Sequence, residues 1–297
     1  MKRIILALVC VAPITGIAVA QNPPPESVTV TADKSRQAVE RFIKSAGAAT
    51  RMTGKMARWE TPICPYAVGI RKEAADFVVD RVKAVAGEVG APVSASPTCK
   101  FNVEIVFTRT PQALLDNVAK EKPWLLGYHD GREQRARLAT LTRPIQGLYV
   151  TATRDLHGQT DIDSSRTTAA SSGLGLMKSA PYAIKVSVPG SRLSDGLRST
   201  FDDIIIVADI GALERYELGA VSDYIAMLAL TQAVPPQGCQ SLPSITDLLT
   251  PGCAQSVQEL TASDRGYLRG LYHMRAGLRL VVQKNEIAGE MAKAARE

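Results

Sequence analysis

The sequence predicts an α+β fold, a mixed sheet with packed helices, and three observations lead there. In the first half of the 297-residue chain, strand-like and helix-like apolar patterns alternate. A continuous apolar run, Ile204 to Val207, has the character of a strand buried on both faces. The last third carries helical periods alone, and strands followed by helices point to a single α+β domain.

The chain opens with the parts of a cleavable secretory signal in order: Lys2 and Arg3, an apolar stretch from Ile4 to Ala12, and the small-residue exit Ala18-Val19-Ala20. Pro13, Thr15 and Gly16 interrupt the apolar run before the roughly 20 residues a spanning helix needs, so cleavage after Ala20 is expected. Val9 stands before Cys10 where lipidation requires a small residue, so Cys10 is read as part of the signal. The mature protein is expected in the periplasm or outside the cell.

Residues 21–34 hold Pro23-Pro24-Pro25 and a short extended stretch from Val28 to Thr31, which reads as a flexible tether ahead of a domain spanning 35–297. Val39, Phe42 and Ile43 fall at helical spacing, with Gly47 as the stop. A strand from Tyr66 to Ile70 precedes a helix with Ala74, Val78, Val82, Val85 and Val89 on one face. Val103, Ile105 and Phe107 alternate in the next strand, and Pro111 opens a helix to about Lys120.

Leu148 to Arg154 is a β-rich run, whereas residues near 158–180, rich in Ser, Thr, Gly and Ala, read as a surface insertion. Its Gly173-Leu174-Gly175 lacks the third glycine and the lysine of a phosphate loop. Strands follow at Tyr182 to Val188 and at Ile204 to Val207. A long helix is expected from about Ala212 to Ala233, then a Pro-rich loop bounded by cysteines, then helices near 261–273 and 279–295.

Loss of residues 1–20 removes Lys2 and Arg3 and no acid, which takes the formal charge from +6 to +4. So weak a bias gives no reason to expect nucleic-acid binding, which shows a clustered basic face. Arg132, Arg135, Arg137 and Arg143 read as a solvated surface. No second segment is long and apolar enough to span a membrane, and 45% hydrophobic against 22% charged residues suits a globular protein.

Cys64, Cys99, Cys239 and Cys253 remain after signal removal, and an even count in an exported chain points to disulfides. Of the three pairings, Cys64–Cys99 and Cys239–Cys253 close the shortest loops and are preferred. No C-x-x-C and no Cys/His pair at ligand spacing suggests metal.

Within the long helix, Leu218, Val221, Ile225 and Leu228 form an apolar stripe beside a small-residue stripe of Gly219, Ser222, Ala226 and Ala229. The third face presents Tyr216, Ala220, Asp223 and Met227, so the helix is expected to be central and largely buried. Its opening residues, Tyr216-Glu217-Leu218-Gly219-Ala220, follow an apolar strand. Pro243-Ser244-Ile245 lies further on, and beyond it runs a segment marked by Leu260-Thr261, Asp264 and Leu271-Tyr272.

In this order the segments resemble zincin-like metalloproteases of the metzincin type, whose H-E-x-x-H helix, turn beneath the metal and closing helix they would represent. The resemblance covers about a quarter of the chain, within residues 200–273; the whole sequence is also similar to a family of uncharacterised exported bacterial proteins. It implies a zincin-like fold with the central helix near 212–233. The ligand positions would be Tyr216, Ala220 and Ala226, and alanine cannot bind metal, so neither a metal nor another cofactor is expected. Glu217 would hold the general-base position without a metal-bound water to activate. Thr261 and Asp264 also form a capping-box pattern that would serve in any fold.

Other chemistry has less support. His129, His157 and His273 form no local ligand pair, and Asp155, His157, Asp161 and Asp163 read as a polar loop tip. No G-x-S-x-G is present. Asp202, Asp203, Glu217 and Asp223 flank one strand-helix unit and are candidates for paired carboxylates.

The expectation is an exported, non-catalytic binding protein whose groove beside Tyr216, Glu217 and Asp223 meets a peptide or an envelope polymer. The alternatives are a hydrolase assembled around Glu217 and Asp223, and a structural envelope protein.

Overall fold

The computed structural model describes residues 25–163, 194–233, 238–253 and 257–296. The expected signal at 1–20, most of the expected insertion, and the expected strand Tyr182 to Val188 lie outside the described residues. The chain divides into residues 1–36 and 37–297, and the second unit holds the α+β fold.

Helix α1 runs Pro25–Ala46, so Val28 to Thr31 are helical rather than extended. Pro25 suits the first helical position, where its fixed φ is already helical and its missing N–H costs nothing. Phe42 and Ile43 are buried, and at Gly47 an added Cβ would stand 2.0 Å from the Tyr267 hydroxyl.

Short strands β1 (Ala57–Arg58) and β2 (Pro65–Val68) lead to α2 (Lys72–Val89), which ends on Gly90 in the left-handed conformation. Strand β3 (Val103–Thr108), α3 (Pro111–Glu121) and α4 (Gly131–Leu138) follow, with a 3-10 turn at Pro123–Leu126. Strands β4 (Ile145–Arg154) and β5 (Thr160–Ile162) form a hairpin, and β6 spans Arg198–Asp209. The remainder is helical: α5 (Ile210–Leu213), α6 (Leu218–Leu230), α7 (Ala262–His273) and α8 (Leu280–Ala294).

The sheet order is β2-β3-β6-β4-β5, with β1 also paired to β6. Strands β1, β2, β3 and β6 run parallel, while β4 is antiparallel to both β6 and β5. Opposite β4, Phe201 pairs with Thr151 and Asp203 with Val150, which leaves Asp202 as the extra residue of a bulge.

Period-two alternation sends the apolar run of β6 to two cores. Ile204, Ile206 and Ala208 pack with Val78, Val82 and Val85 of α2 and with Ile225 and Leu228 of α6. Ile205 and Val207 face Leu115 and Val118 of α3 and Leu125 and Leu126. The continuous run of the sequence is therefore a strand covered on both sides, in a mixed-sheet α+β fold.

The expected helix over 212–233 is two helices. Asp209 caps the first by accepting from the Gly211 N–H at 3.0 Å. Glu214 to Glu217 then turn the chain, with Glu217 extended at φ −69° and ψ 140° ahead of α6. Three of these four residues are charged and exposed, and the Arg215 guanidinium lies 5.0 Å from the Tyr216 ring centroid. Residues 158–162, expected to open the insertion, instead belong to the β4–β5 turn and to β5.

Both disulfides form as expected: Cys64–Cys99 with Cα atoms 6.0 Å apart and Cys239–Cys253 at 5.3 Å. Among the described residues, no helix is long and apolar enough to cross a membrane.

Candidate functional site

Helix α6 is buried from Ala220 to Leu230, as its sequence pattern suggests, because its stripes meet β6 on one side and α2 and α7 on others. Ala220 and Ala226 are 1% and 0% exposed, and both side chains are enclosed by protein. Tyr216 and Glu217 precede the helix, so Tyr216 and Ala220 are not successive-turn neighbours on it. Glu217 is exposed, and its carboxylate has no hydrogen bond or ion pair among the described residues.

Asp223 is 2% exposed and fully engaged. One carboxylate oxygen accepts from Arg81 Nε of α2, and the other accepts from Arg81 Nη2 at 2.9 Å and from the Leu260 N–H at 2.8 Å. This bidentate pair holds α6 against α2 and fixes the chain leading into α7. Bonding to Asp223 also raises the Arg81 guanidinium above its ordinary range. Glu217 is thus exposed ahead of α6 while Asp223 is buried against α2, and the two carboxylates share no hydrogen-bond partner among the described residues.

The other two segments singled out in the sequence do meet. Asp264, 0% exposed, accepts from Ser244 Oγ at 2.6 Å, from the Ile245 N–H at 2.8 Å, and from the Thr261 N–H at 3.0 Å. Thr261 Oγ1 in turn accepts from the Asp264 N–H, which completes the capping box of α7. Burial pushes the Asp264 carboxyl up, and these donors oppose the shift.

The remaining candidates are dispersed. Asp202 and Asp203 sit at the β6 bulge, six residues or more before Asp209, which at strand spacing is roughly 20 Å along the sheet. Burial, then Glu104 and Asp202, push the Asp203 carboxyl up to about 6. Asp155 and Asp163, expected at a loop tip, are buried. Asp155 accepts from the His157 and Gln159 N–H groups in the β4–β5 turn, and Asp163 accepts from Thr151 and Thr153. His129 is enclosed near Gly127, while His157 and His273 are exposed on other elements. No three His, Cys, Asp or Glu side chains cluster as metal ligands among the described residues.

Among the described residues, the surface includes two open cavities of note. One, about 580 Å³, is lined by residues 257–262 and Arg265, beside the Leu260 N–H that binds Asp223. The other, about 390 Å³, is lined by Arg58, Glu60, Arg154 and Arg198 together with Trp59, Gly90, Pro92 and Tyr272. Neither is lined by Tyr216 or Glu217.

Sequence reasoning missed the second cavity because its arginines come from three strands: the end of β1, the end of β4 and the start of β6. Only Arg154 closes a β-rich run legible in the sequence, and no local pattern marks Arg58 or Arg198. Glu60, whose side chain is 9% exposed, pairs with Arg154 at 3.3 Å and with Arg198 at 3.6 Å. Arg58 Nη1 donates to the Tyr272 and Met274 carbonyls at 2.7 and 2.8 Å, at the C-terminal end of α7. Burial lowers the Arg58 guanidinium, and Glu60 partly offsets that. Among the lining residues, three guanidiniums face one carboxylate, and no nucleophile stands beside a base. No protein-family model, curated protein or solved structure matches the chain.

Proposed function

We propose that the chain is an exported, non-catalytic binding protein on a zincin-like scaffold, acting in the periplasm or outside the cell on a peptide or an envelope polymer. Export is supported by the tripartite signal at residues 1–20 and by two disulfides, which persist in oxidising compartments. The scaffold is supported by β6 leading into a buried α6 and by Asp264, which joins the turn at Ser244 to the closing helix.

The observation that carries the non-catalytic reading is the packing of Ala220 and Ala226. At two positions where the resemblance would place imidazoles stands a buried methyl group, which cannot ligate a metal. Asp223 is also spent on Arg81, so the helix offers no free acid. Recognition then falls to the surface cavities, of which the arginine-lined one carries the most chemistry.

Elemental analysis of the purified mature protein, with a peptide-cleavage assay with and without chelator, tests the reading. The expected result is no stoichiometric zinc and no cleavage. Bound zinc with chelator-sensitive hydrolysis overturns it.

A further inference from the structure

We propose that the cavity formed by Arg58, Arg154 and Arg198 binds an oxyanion group, a carboxylate or a phosphoryl, at the end of a small ligand or chain. The proposal rests on the binding-protein reading and specifies what that protein holds.

Charge comes first. Three guanidiniums line the cavity with a single carboxylate, Glu60, so the wall carries two positive charges in excess. Isolated arginines on a surface are neutralised by water and salt, but these converge from three strands and are partly withdrawn from solvent. The Arg154 and Arg198 side chains are 29% and 34% exposed. Like charges held together at reduced dielectric favour an anion that relieves their repulsion.

Donor geometry comes second. Arg154 spends Nη1 on Glu60 at 3.3 Å and Nε on the Gly158 carbonyl at 3.3 Å. Arg198 spends Nη2 on the Asp155 carbonyl at 3.4 Å, and its Nη1 stands 3.6 Å from Glu60, beyond hydrogen-bond length. Arg58 uses Nη1 on backbone carbonyls. That leaves Arg154 Nη2, Arg198 Nε, and Arg58 Nε and Nη2 without acceptors among the described residues. A planar guanidinium matches the spacing of two oxygens on one carbon or phosphorus, which suits a carboxylate or phosphoryl group better than a halide.

The aromatic lining adds shape rather than polarity. Trp59 Nε1 already donates to the Ala229 carbonyl and Tyr272 Oη to the Leu230 carbonyl, both at the end of α6. Their polar atoms are spent inside the protein, so among the lining side chains it is the arginines that offer donors to a ligand. A volume of about 390 Å³ lies near the lower limit for small-molecule pockets, which fits one charged group and its immediate substituent.

Glu60 supplies the sharpest test. It occupies the arginines as a built-in competitor, so removal of its charge should tighten anion binding, whereas a purely structural ion pair would give no such gain. Isothermal titration of the mature protein in low-chloride buffer would use inorganic phosphate, acetate, and trialanine with a free or an amidated C-terminus.

The expected result is saturable binding of phosphate or of free-acid trialanine. E60Q should bind about three- to tenfold tighter, and R154Q/R198Q about tenfold weaker or worse. Circular dichroism confirms the fold of each variant, and the single variant R198Q, expected to lose affinity in the same direction, serves if the double variant is unfolded. A preference for phosphate assigns a phosphoryl ligand; a preference for free over amidated trialanine assigns a chain-end carboxylate. No saturable binding of any probe, or equal affinity in wild type, E60Q and the arginine variants, overturns the proposal. Those results leave the non-catalytic reading intact, and only zinc-dependent cleavage removes that.

Discussion

The Asp264 carboxylate accepts from the Ser244 hydroxyl at 2.6 Å and so ties the turn at residues 243–245 to the first turn of α7. Both residues are 0% exposed, and Asp264 also serves the Ile245 and Thr261 N–H groups. Loss of the carboxylate strands these donors in the interior. D264A should lower unfolding free energy by about 3 kcal/mol, and D264N by less because it keeps an acceptor oxygen. Urea denaturation followed by fluorescence measures both.

Asp223 and Arg81 should prove to be a structural pair. D223A leaves the Leu260 N–H without its acceptor and Arg81 without its partner, so a loss of about 2–3 kcal/mol is expected. A double-mutant cycle with R81A should give a coupling of about 2 kcal/mol. Coupling near zero would return Asp223 to the list of groups available for chemistry.

The Asp203 carboxyl, raised to about 6, imposes a pH dependence of definite sign. Between about pH 4 and pH 6 the folded state binds more protons here than the unfolded state, so this group's contribution is full below pH 4 and is lost as pH rises through 6. D203N should therefore stabilise the protein at pH 7.5, by about 1 kcal/mol after allowance for solvent screening of a partly exposed group, and should have little effect at pH 4. Thermal melts at the two pH values decide it.

The two disulfides close loops with sequence separations of 35 and 14. On the chain-entropy account, removal costs about 4 kcal/mol for C64S/C99S and about 3 kcal/mol for C239S/C253S. Denaturation midpoints of the two double variants, compared under non-reducing conditions, should fall in that order.

Helices α7 and α8 touch through glycine. A Cβ on Gly270 would stand 2.7 Å from the Ile287 Cα, whereas one on Gly289 of α8 meets nothing within 4 Å. G270A should cost about 2 kcal/mol because backbone must move. G289A should gain about 0.5–1 kcal/mol by limiting the unfolded chain. Opposite signs from one substitution type on packed helices make a self-controlled pair.

What was legible in the sequence was what periodicity and loop length encode. Val78, Val82, Val85 and Val89 mark α2, Ile204 to Val207 mark the heart of β6, and short closures identify the disulfide partners. The start of β6, Arg198 to Asp203, was hidden because Phe201 is its one apolar side chain in the core, while Ser199 bonds Thr50 and Thr53, Asp202 is the bulge residue and Arg198 joins a charged cluster. The break at Glu214 to Glu217 was hidden because those residues are acceptable helix formers; an extended Glu217 overrides that preference. Arg58, Arg154 and Arg198 could be joined only by the sheet, since no local spacing connects three strand ends.

Strand β6 lies between β3 and β4, yet it follows both in the chain and is the last strand among the described residues. Neither β3 nor β4 can find its main partner until residues 198–209 are free to pair, so the sheet has no stable partial form that ends earlier. Folding should thus wait on distant contacts and proceed slowly. Export of the chain before it folds would profit from that delay, because the sheet cannot close until residues 198–209 are available to pair.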